Sequence, residues 1–385
     1  MNLGSKGPGG DRARLVRELD RMKSLGIRNL RILGASEGPD TEPWRVTPSL
    51  QPSPNRYNEE VLDGLDFLLS EMARREMQAV VMLNNFWPWS GGMAQYLRWH
   101  GGGPIPYPPP QPGGSWDSYQ NYTAAFYSNE KATTNFRQHI RFLIERTNPY
   151  TGKLYRDDST IMAWQLANEP RGLNRTGDFN RWINETAAYI KSLDRNHLVS
   201  LGAEGDTPWP AAVGLEFSRN HASPNIDYTT IHIWPVNWTW YDARNHAGTF
   251  APALKKTRAY LASHLDRART LNKPLVVEEF GMARDQGSFD PASPTQARNQ
   301  FYGALYEEAY RAAQSGAPLA GTNFWAWAGE GQPRKPDGIL WKPGDPLIGD
   351  PPHEHQGWNS VYGTDTGTLE VIAAAATRFS QLGKP

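Results

Sequence analysis

Two glutamates lie at the ends of apolar, strand-like segments that are far apart in the chain. Glu169 ends the segment Ile-Met-Ala-Trp-Gln-Leu-Ala-Asn-Glu, and Glu279 ends Pro-Leu-Val-Val-Glu-Glu. Pro170 or Gly281 then interrupts the strand, which places each acid at a carboxyl end, where α/β barrels carry their active sites. Two acids suffice to hydrolyse a glycosidic bond: one protonates the leaving oxygen and the other attacks the anomeric carbon.

Glu278 is an alternative to Glu279 for the second of these roles. Neighbouring side chains in a strand point to opposite faces, so only one of the two glutamates is expected to enter the cavity. The periodicity of the segment does not decide between them.

Tryptophan is abundant, with 15 in a chain of 385 residues. All except Trp164 and Trp182 lie in segments that we predict to be loops following strands. An indole ring can stack on the C–H face of a pyranose while its N–H bonds a hydroxyl, so the set indicates a sugar-binding cleft. The alternative for any one of them is packing beneath a long loop.

The composition narrows the classes of partner. Forty basic and 40 acidic residues cancel, so we expect neither nucleic acid nor a membrane surface as a partner. No apolar run is long enough to span a bilayer, and the N-terminus lacks the apolar centre of a signal peptide. The chain has no cysteine, which excludes disulfides and thiolate metal sites.

Hydrophobic periodicity alternates between helix and strand, as is typical of a parallel sheet with crossover helices. The sequence therefore predicts an α/β fold of the (β/α)8 TIM-barrel class, as a single catalytic domain over residues 1–385. Helices are predicted at residues 11–25, 59–75, 130–146, 179–193, 252–271, 295–314 and 369–382, and strands at 27–33, 78–84, 161–169, 197–203, 228–234, 274–279 and 321–327.

The predicted order begins with a helix and contains seven strands, whereas a complete barrel of this class begins with a strand and has eight. The first strand is therefore missing from the prediction, which leaves exposed edges on the strands at 27–33 and 321–327. Either the natural chain extends upstream of Met1, or another segment or a partner chain fills the position.

Two predicted connections, residues 86–128 and 328–364, are much longer than ordinary loops. Unstructured connections of this length are commonly functional. Both follow strands, so we expect them to lie on the catalytic face and to wall off one end of a cleft.

Three motifs together resemble glycoside hydrolase family 5, and within it the β-mannanase branch. They are Trp-Gln-Leu-Ala-Asn-Glu-Pro-Arg at 164–171, His-Ile-Trp-Pro-Val-Asn-Trp at 232–238 and Glu-Glu-Phe-Gly at 278–281. The resemblance extends from about Asn2 to Gly363. It implies a (β/α)8 barrel, a retaining double displacement, β-1,4-mannan or manno-oligosaccharides as substrate, and no cofactor.

On matching positions, the resemblance implies that Glu169 is the acid/base. Glu279, which directly precedes an aromatic residue and a glycine, would be the nucleophile. Arg31 would keep the nucleophile ionised, as an adjacent positive charge does.

Other residues would contact the sugar. The resemblance implies that Asn168 binds the 2-hydroxyl and that Trp325 forms the platform beneath the sugar that is cleaved. Trp87 would line the non-reducing side of the cleft, and Arg171 the leaving-group side. Trp327 is predicted to share the strand face of Trp325, as a second wall or as packing.

His232 and Trp234 end the predicted fifth strand of this chain. The family has a histidine here, followed two residues later by an aromatic residue that is often tyrosine. Tryptophan retains a stacking surface but lacks the tyrosyl hydroxyl, so the hydrogen bond to the nucleophile is in question.

Several polar residues that could suggest a metal site or a substrate subsite are better interpreted as structural. His353-Glu354-His355 lies in a loop rich in proline and glycine without a third ligand in view, which favours a solvated loop over a metal site. Glu37, Glu204 and Glu330 could line subsites, but we expect solvated loop carboxylates.

The leading hypothesis is an endo-acting β-1,4-mannanase. An exo-acting β-mannosidase on the same scaffold is the alternative, and a non-catalytic mannan-binding protein is a second, if the missing strand has cost the barrel its catalytic geometry. Polymeric mannan cannot enter a cell, so we expect a secreted or periplasmic protein, while a cytoplasmic enzyme acting on imported oligosaccharides stays open. The sequence does not determine the oligomeric state.

Overall fold

The computed structural model describes residues 1–382, which divide into two compact units. Unit 1 comprises Met1–Val16 and Asn29–Tyr228, and unit 2 comprises Arg17–Arg28 and the residues from Thr229 onward.

Unit 1 contains a parallel sheet whose four strands follow one another in chain order. Its central strands are apolar on both faces, as is expected of parallel strands covered by helices. The strands are β1 (Asn29–Leu33), β2 (Gln78–Met82), β3 (Ile161–Gln165) and β4 (Leu198–Ser200).

Helices connect these strands, and asparagine side chains cap two of the longest. Asn58 accepts hydrogen bonds from the backbone N–H groups of Glu60 and Val61, and Asn129 accepts one from Ala132. Such caps satisfy donors that have no partner within the helix. The helices are α1 (Arg12–Ser24, which the division between the units interrupts), α2 (Glu59–Arg74), α3 (Gly92–Trp99), α4 (Trp116–Ala124), α5 (Glu130–Ile144), α6 (Thr176–Leu193), α7 (Pro210–Val213) and α8 (Phe217–Asn220).

Unit 2 contains a three-stranded parallel sheet and a separate pair of short parallel strands. The strands of the sheet are β5 (Thr229–Ile233), β6 (Leu275–Phe280) and β7 (Leu319–Thr322), and those of the pair are β8 (Trp327–Gly329) and β9 (Val361–Tyr362). Its helices are α9 (His246–Thr270), α10 (Gln296–Gln314) and α11 (Thr366–Phe379).

Each of the seven predicted strands overlaps an observed strand, and each of the seven predicted helices overlaps an observed helix. The prediction was wrong for residues 86–128, which contain α3 and α4 rather than an unstructured connection. It was also wrong for 321–327, because β7 ends at Thr322 and Trp327 opens β8. Both missed helices are short, with eight and nine residues, and a segment rich in glycine and proline separates them.

The strands that were predicted to have exposed edges are the least buried of those in the two main sheets. Every residue of β1 is half-buried, and the residues of β7 are half-buried or exposed. Each of the two is an end strand of its own sheet. Within residues 1–382, no strand precedes α1, as the periodicity predicts.

Glu18 joins parts of unit 2 that are far apart in the sequence. Its buried carboxylate accepts a hydrogen bond from the Trp327 indole N–H at 2.8 Å and another from the Glu330 backbone N–H at 2.7 Å. A β-carbon on Gly329, whose φ is +57°, would lie within 2 Å of this carboxylate. The tip of the connection after β8 is therefore held against a residue near the start of the chain.

In the part of the chain that the structure describes, no helix is both long and apolar enough to cross a membrane.

Glu37 is a fully buried acid in the connection after β1. Its carboxylate accepts the Gly92 backbone N–H at 2.8 Å, and Arg45 donates to its backbone oxygen. Burial nevertheless dominates and raises the pKa of Glu37 to about 8. The expectation of a solvated loop carboxylate was wrong here, because the side chain is fully enclosed.

This raised pKa predicts a pH-dependent stability that Glu37→Gln removes. An acid whose folded pKa exceeds its unfolded value favours the folded state at low pH, and that contribution is lost as the pH rises towards the folded pKa. Relative to the variant, the free energy of unfolding of the unaltered protein should fall by up to about 1.4 kcal/mol per pH unit between about pH 5 and pH 8. Urea denaturation of both proteins across this range measures it, and parallel profiles would contradict the assignment.

Candidate active site

Arg31 orders the polar groups at the carboxyl ends of β1 and β3. Its guanidinium donates to the side-chain oxygens of Gln165 and Asn168, each at 2.7 Å. The buried Asn168 in turn donates from its amide nitrogen to Asn85 at 3.2 Å. These bonds fix which end of the Asn168 amide is the donor. The role of Arg31 in ionising the nucleophile stays a prediction.

Glu169 is held in an unusual backbone conformation. It is buried and has a φ of +48°, which is a left-handed value that side chains with a β-carbon rarely adopt. Its backbone N–H donates to Gly202 O at 2.9 Å. Such strain costs about 1–3 kcal/mol and clusters at functional sites. The strained residue lies four residues after the end of β3, in the segment that leaves the sheet, which agrees with a functional role for its carboxyl group.

Trp87 donates its indole N–H to Glu169 Oε2 at 2.5 Å. The ring is half-buried, and it packs edge-on against Phe86 and Trp116, with ring centroids 5.3 and 5.5 Å away. The predicted wall of the cleft is therefore also a hydrogen-bond donor to the predicted acid/base.

Arg171 lies over the face of the Trp87 ring, and its guanidinium carbon is 4.8 Å from the ring centroid. It donates twice to Glu204, at 2.7 and 2.9 Å, and once to Gln120 at 2.9 Å. Burial opposes the charge of Arg171, but the carboxylates of Glu204 and Glu169 hold its pKa above the ordinary value. Glu204 is buried, so the expectation of a solvated carboxylate was wrong, whereas the partly exposed Glu330 forms an ion pair with Arg17.

In unit 2, His232 lies between the two glutamates of β6. Its Nδ1 is 3.4 Å from Glu279 Oε2, and its Nε2 is 3.7 Å from Glu278 Oε2. The register between β5 and β6 shifts here, pairing Ile231 with Val277 and His232 with Glu279. Glu278 is therefore the extra residue of a bulge-like irregularity, which redirects side chains. Strict alternation does not hold at this point, so it cannot choose between the two acids.

Trp234 packs against the backbone that follows Glu279. A β-carbon on Gly281 would lie 2.6 Å from Trp234 Cζ3 and 2.9 Å from Asn359 Oδ1. The glycine after the Glu-Glu-Phe motif is thus required for the close approach of this ring.

Trp325 follows β7, is half-buried, and donates its backbone N–H to Phe280 O at 2.9 Å. Trp327 begins β8, whereas Trp325 lies outside any strand. The prediction that the two tryptophans share one strand face was therefore wrong. The indole N–H of Trp327 is bound to Glu18, which indicates packing rather than a second wall.

The motif at 353–355 is better enclosed than the sequence indicates. His353 is buried, which lowers its pKa to about 4, and His355 Nδ1 lies 2.7 Å from Gly338 O. The expectation of a solvated loop was therefore wrong for His353, while the structural interpretation agrees with these contacts.

Sequence reasoning missed Gln165, Asn85 and Gln120 as members of the polar network. Gln165 offered a usable signal, because a polar residue inside an apolar strand needs a partner when it is buried.

A model of the family described as "GH family 5 beta-mannosidase-like" matches residues 1–384. The chain belongs to glycoside hydrolase family 5. Mannan endo-1,4-beta-mannosidase 5 of Solanum lycopersicum is 32% identical over 343 residues, which cover 85% of this chain and 75% of the relative. Mannan endo-1,4-beta-mannosidase 1 of Arabidopsis thaliana is 30% identical over 82% of this chain and 72% of its own.

Solved structures agree with this membership. The family 5 mannosidase of Rhizomucor miehei is 38% identical and has a TM-score of 0.88, covering 99% of this chain and 91% of its own. The exo-beta-1,4-mannosidase Op5Man5 of an Opitutaceae bacterium, strain TAV5, is 17% identical with a TM-score of 0.54 over 96% of this chain and 56% of its own, and is similar in fold alone. The predicted (β/α)8 barrel class of this family 5 hydrolase is confirmed.

The close contact at Gly281 predicts that Gly281→Ala displaces Trp234 or Asn359. Overpacking of this kind costs about 1–3 kcal/mol, and we expect both a lower melting temperature and weaker glycoside hydrolysis. Gly177→Ala is the matched control, because that glycine lies in α6 with open space around it. Calorimetry and initial rates for both variants measure the effect, and a Gly281→Ala protein indistinguishable from the control would refute it.

Proposed function

We propose that this family 5 hydrolase cleaves internal β-1,4-mannosidic bonds of mannan with retention of anomeric configuration. The observation that carries the proposal is the buried, hydrogen-bonding environment that each candidate acid has within its own unit. Glu169 is strained, buried and bonded by the Trp87 indole, and Glu279 lies against His232. The curated relatives named above, which are mannan endo-1,4-beta-mannosidases, support the substrate and the endo mode of attack.

The first step forms a glycosyl–enzyme ester. The Glu279 carboxylate attacks the anomeric carbon while Glu169 gives its proton to the glycosidic oxygen, and the remainder of the chain leaves as an alcohol. Asn168, whose amide orientation Arg31 fixes, would bind the 2-hydroxyl as positive charge develops on the ring.

The second step hydrolyses the ester. Glu169, now a carboxylate, takes a proton from water as the water oxygen attacks the anomeric carbon, and the Glu279 carboxylate departs. Two inversions at one carbon give net retention. A protein that degrades polymeric mannan in this way would work outside the cytoplasm, which is our proposal for its location.

An exo-acting β-mannosidase is the second candidate function. It is favoured by the β-mannosidase-like description of the family that matches the chain. The folded connection at 86–128, with its two helices, is a feature that could close one end of a cleft.

Glu279→Gln should lower activity on linear β-1,4-mannan by about a thousandfold or more, because loss of a covalent nucleophile removes the chemical step. Glu278→Gln is the matched control and should retain measurable turnover. Reducing-sugar release from mannan, with carboxymethyl cellulose in parallel, measures both variants. Labelling with a 2-deoxy-2-fluoro-mannosyl fluoride followed by peptide mass spectrometry should place the sugar on Glu279. A label on Glu278 would reverse the assignment, and activity on cellulose alone would reject the substrate.

The mode of attack predicts the early products from mannohexaose. An endo-acting enzyme should release mannobiose, mannotriose and mannotetraose first, because its cleft admits the middle of the chain. A chromatographic time course with a reducing-end label measures this. Mannose and mannopentaose as the sole early products would reject the endo mode in favour of the exo candidate.

A further inference from the structure

We propose that Glu204 and Arg171 form a positioning pair that acts through Trp87 to hold the acid/base Glu169 in place. The inference rests on the proposed role of Glu169 as acid/base and adds two residues to that machinery. Neither residue of the pair needs to touch the reacting atoms for this role.

The pair is rigid because both carboxylate oxygens of Glu204 bind the same edge of the Arg171 guanidinium. Nε and one terminal nitrogen of Arg171 each donate to a different oxygen of the buried carboxylate. The other terminal nitrogen donates to Gln120, and Tyr127 donates its hydroxyl to the Arg171 backbone oxygen at 3.0 Å. A planar fork held in this way has little freedom to rotate.

Trp87 lies on this fixed plane. The guanidinium carbon is 4.8 Å from the ring centroid, a distance at which a cation attracts the face of an indole. The indole N–H then points at Glu169 Oε2. The chain of contacts therefore runs from Glu204 through Arg171 and Trp87 to the acid.

The acid needs such support because its own backbone is strained. A catalytic group displaced by about 1 Å can lose on the order of a hundredfold in rate. An indole held by a charged plane, rather than by apolar packing alone, limits that displacement.

The test compares leaving groups, because a phenyl leaving group requires protonation by the acid and a 2,4-dinitrophenyl group does not. The substrates are aryl β-mannosides or aryl β-mannobiosides, whichever series the unaltered enzyme cleaves at the aryl bond. The kcat/KM value is used because it reports the first chemical step.

We expect Glu204→Gln and Trp87→Phe each to lower kcat/KM for the phenyl substrate by about tenfold or more, a part of the 10²–10⁴ that a general acid contributes. Glu204→Gln should keep the value for the dinitrophenyl substrate within about twofold. Trp87→Phe also alters the predicted cleft wall, so for this variant the loss on the phenyl substrate should exceed the loss on the dinitrophenyl substrate by about tenfold or more. If the pair acts through the indole, the double variant should be no worse than Trp87→Phe alone. Equal losses on both substrates, no loss on either, or additive losses in the double variant would overturn the proposal.

A structural control separates positioning from general destabilisation. Asp66 is buried and binds Arg146 through a comparable fork, with bonds of 2.6–3.1 Å, and it contacts none of the candidate site residues in these bonds. Asp66→Asn should lower the melting temperature without changing the ratio between the two substrates. A changed ratio in this variant would attribute the Glu204→Gln effect to stability and overturn the positioning role.

Glu169→Ala separates failure of this inference from failure of the proposed function. If Glu169 is the acid/base, this variant should lose the phenyl substrate selectively, and azide should restore turnover by forming a β-mannosyl azide. If it loses both substrates equally and azide has no effect, the role of Glu169 is wrong. If it behaves as expected while Glu204→Gln shows no selectivity, only the positioning pair is wrong.

Discussion

The hydrogen-bonded fork between Arg171 and Glu204 is a largely buried ion pair, with 15% and 3% of the two side chains exposed, and burial makes each partner dependent on the other. A charge taken out of water costs several kcal/mol unless an opposite charge and well-aligned donors compensate it. In unit 1, the carboxylate of Glu204 compensates the charge of Arg171. The guanidinium plane of Arg171 in turn contacts the Trp87 indole, which donates a hydrogen bond to Glu169. Removing either end of the pair would leave the other charge close to Glu169, our proposed acid/base.

In unit 2, the buried carboxyl groups of Glu278 and Glu279 lie next to a histidine and not next to an arginine. His232 is fully buried and has a glutamate near each ring nitrogen. The irregular register of β5 and β6 allows this, because it brings two consecutive acids towards one imidazole. The ring thus lies between the carboxyl groups of the two glutamates.

The fold could be predicted from the sequence because its strands are short apolar runs that are followed by residues such as proline and glycine, which interrupt a strand. Glu169 and Glu279 were located in this way, and the family motifs supplied their expected roles. The Glu204–Arg171–Trp87 chain could not be predicted, because its members come from three separate connections and no spacing rule relates them. Alternation failed at Glu278 for a local reason, since a register shift leaves no trace in the sequence. Glu37 and Glu204 were misjudged because a carboxylate in a loop is usually solvated, and only the fold shows that these two are enclosed.

Glu18 contacts Trp327 and Glu330, which are synthesised long after it. Unit 2 consists of Arg17–Arg28 and of residues that follow Thr229, so the first of its parts leaves the ribosome long before the last. Nearly all of unit 1 is synthesised in between. Because loop-closure entropy must be overcome before a contact of such separation forms, the Glu18 cluster belongs to the late, slow part of folding. Until then the Trp327 indole lacks its acceptor, and the nascent chain carries an incomplete second unit of the kind that is prone to aggregate.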